Sequence, residues 1–322
     1  MINIFINANK EDFAMSFIAL IVFIIVQILF IPLAIIGGIL TSFNQLLVSK
    51  RLGVSGTAIS AIGQRWLMHI YGMRKDPATA KLYRALPNGS EIGLWLLLFP
   101  GFLQYKIHPS FAEEGKEILM NAVQARTFHI DKLINESKDK VEQFVVMGAG
   151  YDTRCYGDLK RNNLKFFELD QEKTQKLKIE CLKKAGIDAS HVTFVEMDFS
   201  TEKWYEKLAK AGYDPGKKTL FLWEGVTLYL SEADVRKTIK EIKEHAASGS
   251  ILIADFASNR LTALQGVKAT NENFNFGLDL SVNPEKVLKT FIESEKVNLG
   301  DYYFIGHKTK KGAVMAVAEI IL

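Results

Sequence analysis

VVMGAGYDTR, Val145 to Arg154, follows a short apolar run and packs two glycines into a turn. Three acidic stops follow it at intervals: Asp170 in FFELD, Asp198 in EMDF and Glu224 in LWEG. Each closes a run of β-forming residues. Parallel strands bring such ends to one edge of a sheet, so the four motifs are expected to line a single crevice.

Working outward, the surrounding chain alternates strand and helix patterns. Gln143 to Met147, Leu164 to Leu169, Val192 to Met197, Thr219 to Trp223 and Ile251 to Phe256 read as strands. Between them lie helical stretches, QEKTQKLKIECLKKAG with Gly186 as its stop, TEKWYEKLAKAG, and SEADVRKTIKEIKEHAASG with Ser231 as N-cap. Ala112 to Ile134 is expected to be a further helix, from the apolar spacing of Ile118, Leu119, Ala122, Val123 and Ile130. This alternation predicts an α/β, Rossmann-like doubly wound sheet. The end differs: DYYFIGHKTKKGAVMAVAEIIL holds two strand runs around KTKKG and reads as a terminal antiparallel hairpin. Ala257 to Asn283 is the least regular stretch, a candidate insertion over the crevice.

The amino end is of another kind. Phe13 to Ser49 contains no charged residue, and FIALIVFIIVQILFIPLAIIGGIL exceeds the roughly 20 residues that cross a bilayer as a helix. A transmembrane helix at about 13–40 is the expectation, with a helix buried in an oligomer as the alternative. Lys10 stands alone before it, whereas Lys50, Arg51 and Arg65 follow, so the rest of the chain is expected to face the cytoplasm after a single pass. A second apolar stretch, Ile92 to Leu103, is short for a span and interrupted by Pro100-Gly101. It could lie at the interface, wall an apolar pocket or pack in the core. The domain division is therefore 1–50 anchor, 51–110 helical lid or substrate segment, and 111–322 α/β domain.

Composition excludes little but is consistent. The chain has 322 residues, 48% hydrophobic, and a net charge of +4. No arginine-rich or basic-aromatic run points to nucleic acid. Cys155 and Cys181 have no metal or redox spacing, so no metal site is expected and a reducing compartment is the default.

Gly148 and Gly150 allow a sharp turn and close backbone approach to a ligand. A dinucleotide fingerprint wants a third glycine near 153, where Thr153 and Arg154 stand. A diphosphate prefers bare amides, whereas a sulfonium nucleoside with a zwitterionic tail prefers acids and an arginine. Asp170 can accept both ribose hydroxyls or cap the next helix. Asp198 can accept an adenine amino group with Phe199 on the ring, or again act as a cap. Glu224 would face an ammonium or sulfonium.

These residues resemble the leucine carboxyl methyltransferase family, which includes bacterial O-methyltransferases. The motifs are VSGTAISAIGQRW, Asp76-Pro77 with Ala80, ARTFHID, GAGYDTR, EGVTLYL and DYYFIGH, and they cover the chain from about Leu52. Trp66 departs from the family's usual alanine, and the first 50 residues lie outside the match. The resemblance implies S-adenosylmethionine as cofactor. It implies Arg126 at the cofactor carboxylate, with Arg65 assisting or holding substrate, and Gly148 and Gly150 against the methionine moiety. Asp170 would hold the ribose, Asp198 and Phe199 the adenine, and Glu224 the amino end. Asp152 and Arg154 are ligands or a loop-fixing ion pair. Tyr229 is the candidate to reach substrate. The expected activity is membrane-tethered O-methylation of a carboxylate, or a hydroxyl, on an apolar or membrane-associated acceptor. Competing readings are a nicotinamide-dependent oxidoreductase of the membrane surface and a non-catalytic binding protein. The oligomeric state is open.

Overall fold

The computed structural model describes residues 10–109, 112–160, 164–199, 202–263 and 273–322. Five strands, β1 (Gln143–Met147), β2 (Lys165–Asp170), β3 (Val192–Glu196), β4 (Thr219–Trp223) and β5 (Ile251–Ala257), pair in parallel. β6 (Asn298–Ile305) and β7 (Met315–Ile321) form the expected hairpin, and β7 runs antiparallel to β5. The order is β3-β2-β1-β4-β5-β7-β6. Chain direction across the sheet reverses between β1 and β4, which opens a crevice above their carboxyl ends.

β1 is buried on both faces, so it reads as a continuous apolar run. Val145 and Met147 join one core with Phe167, Phe221 and Trp223, while Phe144 and Val146 join the other with Phe166, Leu220 and Leu222. That is the period-two alternation of a strand. The helices that cover the sheet are α6 (Ala122–Ser137), α7 (Glu172–Lys184), α8 (Trp204–Lys210), α9 (Glu232–His245), α10 (Asn259–Ala263) and α11 (Pro284–Glu293). They are preceded by α1 (Lys10–Phe43), α2 (Ser49–Leu52), α3 (Gly56–Tyr71), α4 (Pro77–Ala85) and α5 (Glu91–Ile107). A third core joins Ile62, Trp66, Leu82 and Tyr83 of this helical layer to Cys181 and Leu182 of α7.

Three expectations are corrected. The helix predicted from Ala112 begins only at Ala122, because Glu117 is captured elsewhere: its carboxylate accepts from Tyr303 Oη at 2.6 Å and Gly306 N at 2.8 Å. That long-range pairing fixes the preceding loop against the terminal hairpin. Pro100-Gly101 does not interrupt the second apolar stretch, since α5 runs through both. Pro32 likewise lies inside α1. Asp170 and Asp198 are not the N-caps of the helices that follow: α7 and α8 start at Glu172 and Trp204, and their N-caps, Gln171 and Lys203, make no side-chain cap bond. Ser231 does cap α9, accepting from Asp234 N. Both cysteines are free and buried.

α1, with 34 residues, is about 51 Å long. It pairs side by side with α5 while its other side carries exposed Ile28, Leu29, Ile35 and Ile39.

Candidate active site at the strand ends

The glycine turn is pinned to its neighbour strand. Gly148 N and Ala149 N both donate to Leu169 O at 2.9 Å. Gly148 has φ +69°, and a Cβ there would stand 2.6 Å from Val226 Cγ2, so the position requires glycine. Gly150 N donates to Asp170 Oδ2, and Gln171 N donates to Oδ1 at 2.7 Å. Asp170 therefore turns back toward the glycine loop. Burial raises its pKa, partly offset by the amide of Gly150.

Two strands away, Glu224 stands among guanidiniums from three distant segments. Arg65 of α3 donates through Nη2 to Oε2 at 2.7 Å, and Arg154 donates through Nη1 to the same oxygen at 2.6 Å. Arg126 of α6 lies with Nε 3.0 Å from Oε1. Neither of those two atoms makes a well-directed hydrogen bond, and Arg154 Nη2 and Arg65 Nε are also buried without one. Arg65 bridges further to Asp152 at 2.8 Å, and Arg154 pairs with both Asp152 and Asp131. The Asp152–Arg154 pair thus holds the loop. Burial opposes ionisation of Glu224 and Asp152, but the Arg154 and Arg65 guanidiniums outweigh it for both, with Arg126 adding to the effect at Glu224, and hold both carboxyls well below the usual range.

Asp255, near the carboxyl end of β5, completes this group. It accepts from Arg126 Nη1 at 2.9 Å and from Gly225 N at 2.6 Å, which orients the Arg126 fork beside Glu224. Burial raises its pKa against the pull of Arg126. The sequence pattern leaves it out of the predicted site, although an acid near the end of ILIADF stands in line with the other three. Asp131 had a signal too, as the last residue of ARTFHID.

Asp198 and Phe199 follow β3 at the other side of the crevice. Asp198 is exposed, its N donates to Glu202 Oε2 at 2.9 Å and its O accepts from Glu202 N, while Phe199 packs on the core. Tyr229 lies beyond Glu224 and donates from Oη to Thr57 Oγ1 of α3 at 2.6 Å. Its ring lies 5.6 Å from that of Phe274, and its O accepts from Asn275 Nδ2 at 2.8 Å. The expected insertion thus folds over Tyr229 where it is described; residues 264–272 lie outside the described residues.

The chemistry of this donor set fits a sulfonium nucleoside. Acids stand at successive strand ends, a close backbone turn lies between them, and incompletely paired guanidinium and carboxylate atoms gather where a zwitterionic tail would lie. A diphosphate would meet Asp170 and Glu224 instead of free amides.

Residues 100–243 match the model of the leucine carboxyl methyltransferase family. The chain is 32% identical over 174 residues to "Putative S-adenosyl-L-methionine-dependent methyltransferase YktD" of Bacillus subtilis, covering 53% of this chain and 57% of that protein. It is 28% identical over 201 residues to a Mycobacteroides abscessus protein of the same description, covering 62% and 65%. The chain thus spans between about half and two thirds of the length of these curated relatives. Among solved structures, a DUF574 family protein from Streptomyces avermitilis is similar with a TM-score of 0.47 at 12% identity, over 81% of this chain and 96% of that one. The partial family match and the relatives support S-adenosylmethionine as the cofactor, and over the matched residues the chain is similar to the leucine carboxyl methyltransferase type of S-adenosylmethionine-dependent methyltransferase.

Proposed function

We propose that the chain is a membrane-tethered S-adenosylmethionine-dependent O-methyltransferase that esterifies a carboxylate on an apolar or membrane-associated acceptor. The observation that carries the transferase reading is the meeting of Glu224, Arg126 and Arg65 beside the Gly148–Gly150 turn and Asp170. When bound, the cofactor supplies a methyl group already activated on a sulfonium. The chain's own work is then alignment and exclusion of water. Asp170 accepts the ribose hydroxyls, Asp198 and Phe199 take the adenine, and Gly148 and Gly150 approach the methionyl group. Arg126, aided by Arg65, holds its carboxylate, and Glu224 faces its ammonium. Tyr229 orients the acceptor beneath Phe274.

A carboxylate acceptor is ionised at neutral pH and needs no base. The histidines support that choice. His69 Nδ1 accepts from Asp76 N, and His191 Nε2 pairs with Cys155 O. His129 stacks on Tyr303, His245 stacks on Tyr205, and His307 Nδ1 pairs with Phe304 O. None of these contacts is with Tyr229. The tether is α1, most of which belongs to the apolar helical segment Met15–Leu52 with mean hydropathy reaching 3.1, long enough to span a bilayer. The lysine and arginine excess after it favours a cytoplasmic catalytic domain after a single pass.

Incubation of the full chain with methyl-labelled cofactor and a membrane extract tests the reading. Label in the lipid fraction that leaves as methanol in mild base is expected. Base-stable label would instead identify an ether or amine product, and labelling confined to soluble molecules would contradict the membrane-associated acceptor.

A further inference from the structure

The anchor is not a free tether. Contacts between α1 and α5 run in opposite chain order: Phe30 stacks on Phe99 with centroids 5.0 Å apart and Gly37 meets Gly93, and just beyond the ends of both helices Asn44 Nδ2 donates to Gly89 O at 2.6 Å. The pairing therefore extends over about 15 Å. At its crossing the backbones touch. A Cβ on Gly37 would stand 2.6 Å from Gly93 O, and one on Gly93 would stand 3.0 Å from Gly37 O and 2.9 Å from Thr41 Cγ2. Small residues at a close crossing are how helices associate in lipid, where apolar burial gives no drive. The Thr41 hydroxyl donates back to Gly37 O at 2.9 Å, so it brings no unpaired group to the contact.

α5 itself carries no charge from Ile92 to Leu103. Ile92 is 71% exposed and Leu97 38%. Its charges sit at the ends. Glu91 is tied to Arg84 and Trp66, and Lys106 lies 5.3 Å over the Phe102 ring. On its other side α5 bears on α3: Trp95 packs on Trp66 at 5.4 Å, and Tyr71 Oη donates to Leu98 O at 3.2 Å. α3 carries Arg65 and Thr57 into the active site.

We propose that α5 enters the bilayer with α1 as one embedded antiparallel pair, so that lipid hydrocarbon covers the outer face of α5 and the catalytic layer is held against the membrane. This rests on the membrane reading of α1 given above. An α1 that enters lipid while paired over this length takes α5 with it. The acceptor then presents its carboxylate near the headgroups while its apolar part remains in the bilayer.

The test uses the full chain in vesicles of phosphatidylcholine and phosphatidylglycerol, with an environment-sensitive fluorophore on one introduced cysteine and nitroxide groups on the acyl chains. Labels at Ile28→Cys on α1 and Leu97→Cys on α5 are both expected to show blue-shifted, quenched emission. A label at Lys184→Cys on α7 should show neither. Quenching at 28 with a water-like signal at 97 would overturn the proposal and leave the α1 anchor standing. Water-like signals at both would remove the anchor and the proposal together. A blue shift at 97 without lipid quenching, accompanied by cross-linking between copies, would assign that face to a second chain and overturn it also. Gly93→Leu, which drives the helices apart, should abolish quenching at 97 and preserve it at 28.

Discussion

Glu224 and Asp198 both end parallel strands on the same edge, yet their surroundings differ. The Glu224 side chain is 5% exposed and shares its oxygens among Arg65, Arg126 and Arg154, which arrive from three separate segments. Asp198 is exposed; its N donates to the Glu202 carboxylate and its O accepts from Glu202 N one turn away. Two edge positions in one crevice thus carry different physical loads. The Glu224 end is part of the folded core and is built before any ligand arrives. The Asp198 end stands in solvent, and in the proposed site its carboxylate would act on affinity.

The largest effect is expected from Glu224→Gln. It leaves buried guanidiniums short of countercharge, which costs about 3–5 kcal/mol. Urea unfolding should show that loss together with abolished methyl transfer; a variant as stable as the parent would erase the contrast between the two ends.

Acid should sharpen it. The carboxyls of Glu224 and Asp152 are held below their ordinary range when folded. Their contribution is therefore present above the unfolded values of about 4 and is lost as pH falls through the folded ones. Asp170 has the opposite shift, so its charge is lost first on acidification. Cofactor affinity by calorimetry should then decline at a higher pH than the melting temperature. Simultaneous loss of both would contradict separate roles.

Asp170→Asn should weaken cofactor binding by about 1.5–3 kcal/mol, the range for hydrogen bonds to a charged group. Unfolding should change less than binding, since the amide oxygen can still accept from Gly150. The smallest effect belongs to Asp198→Ala, with about 1 kcal/mol of affinity lost and stability within about 0.5 kcal/mol of the parent. A destabilisation comparable with that of Glu224→Gln would make the two ends alike.

The sheet was legible because each parallel strand is an apolar run closed by a turn or an acid, and because KTKKG separates two clean strand patterns. Asp255, two residues before the end of β5, nearly followed the same rule. What lies around Glu224 was not. Arg65 and Glu224 are 159 residues apart, and no local pattern states that a guanidinium on an amino-terminal helix will reach a strand end. The loop before α6 has helical periodicity, but Glu117 pairs 189 residues away with Gly306, and that tertiary contact overrides the local preference. Pro100-Gly101 reads as a break, yet packing of α5 between α1 and α3 carries the helix through it. Asp170 offered two local readings, and the helix-cap reading falls away because its carboxylate turns back to the amides of Gly150 and Gln171.

Titration calorimetry of the full chain with S-adenosylmethionine and, in parallel, with oxidised nicotinamide dinucleotide tests the cofactor assignment most directly. Saturable binding of the first, weakened by Asp170→Asn, with no heat from the second is the expected result. Binding of the dinucleotide alone, or of neither, would contradict the account.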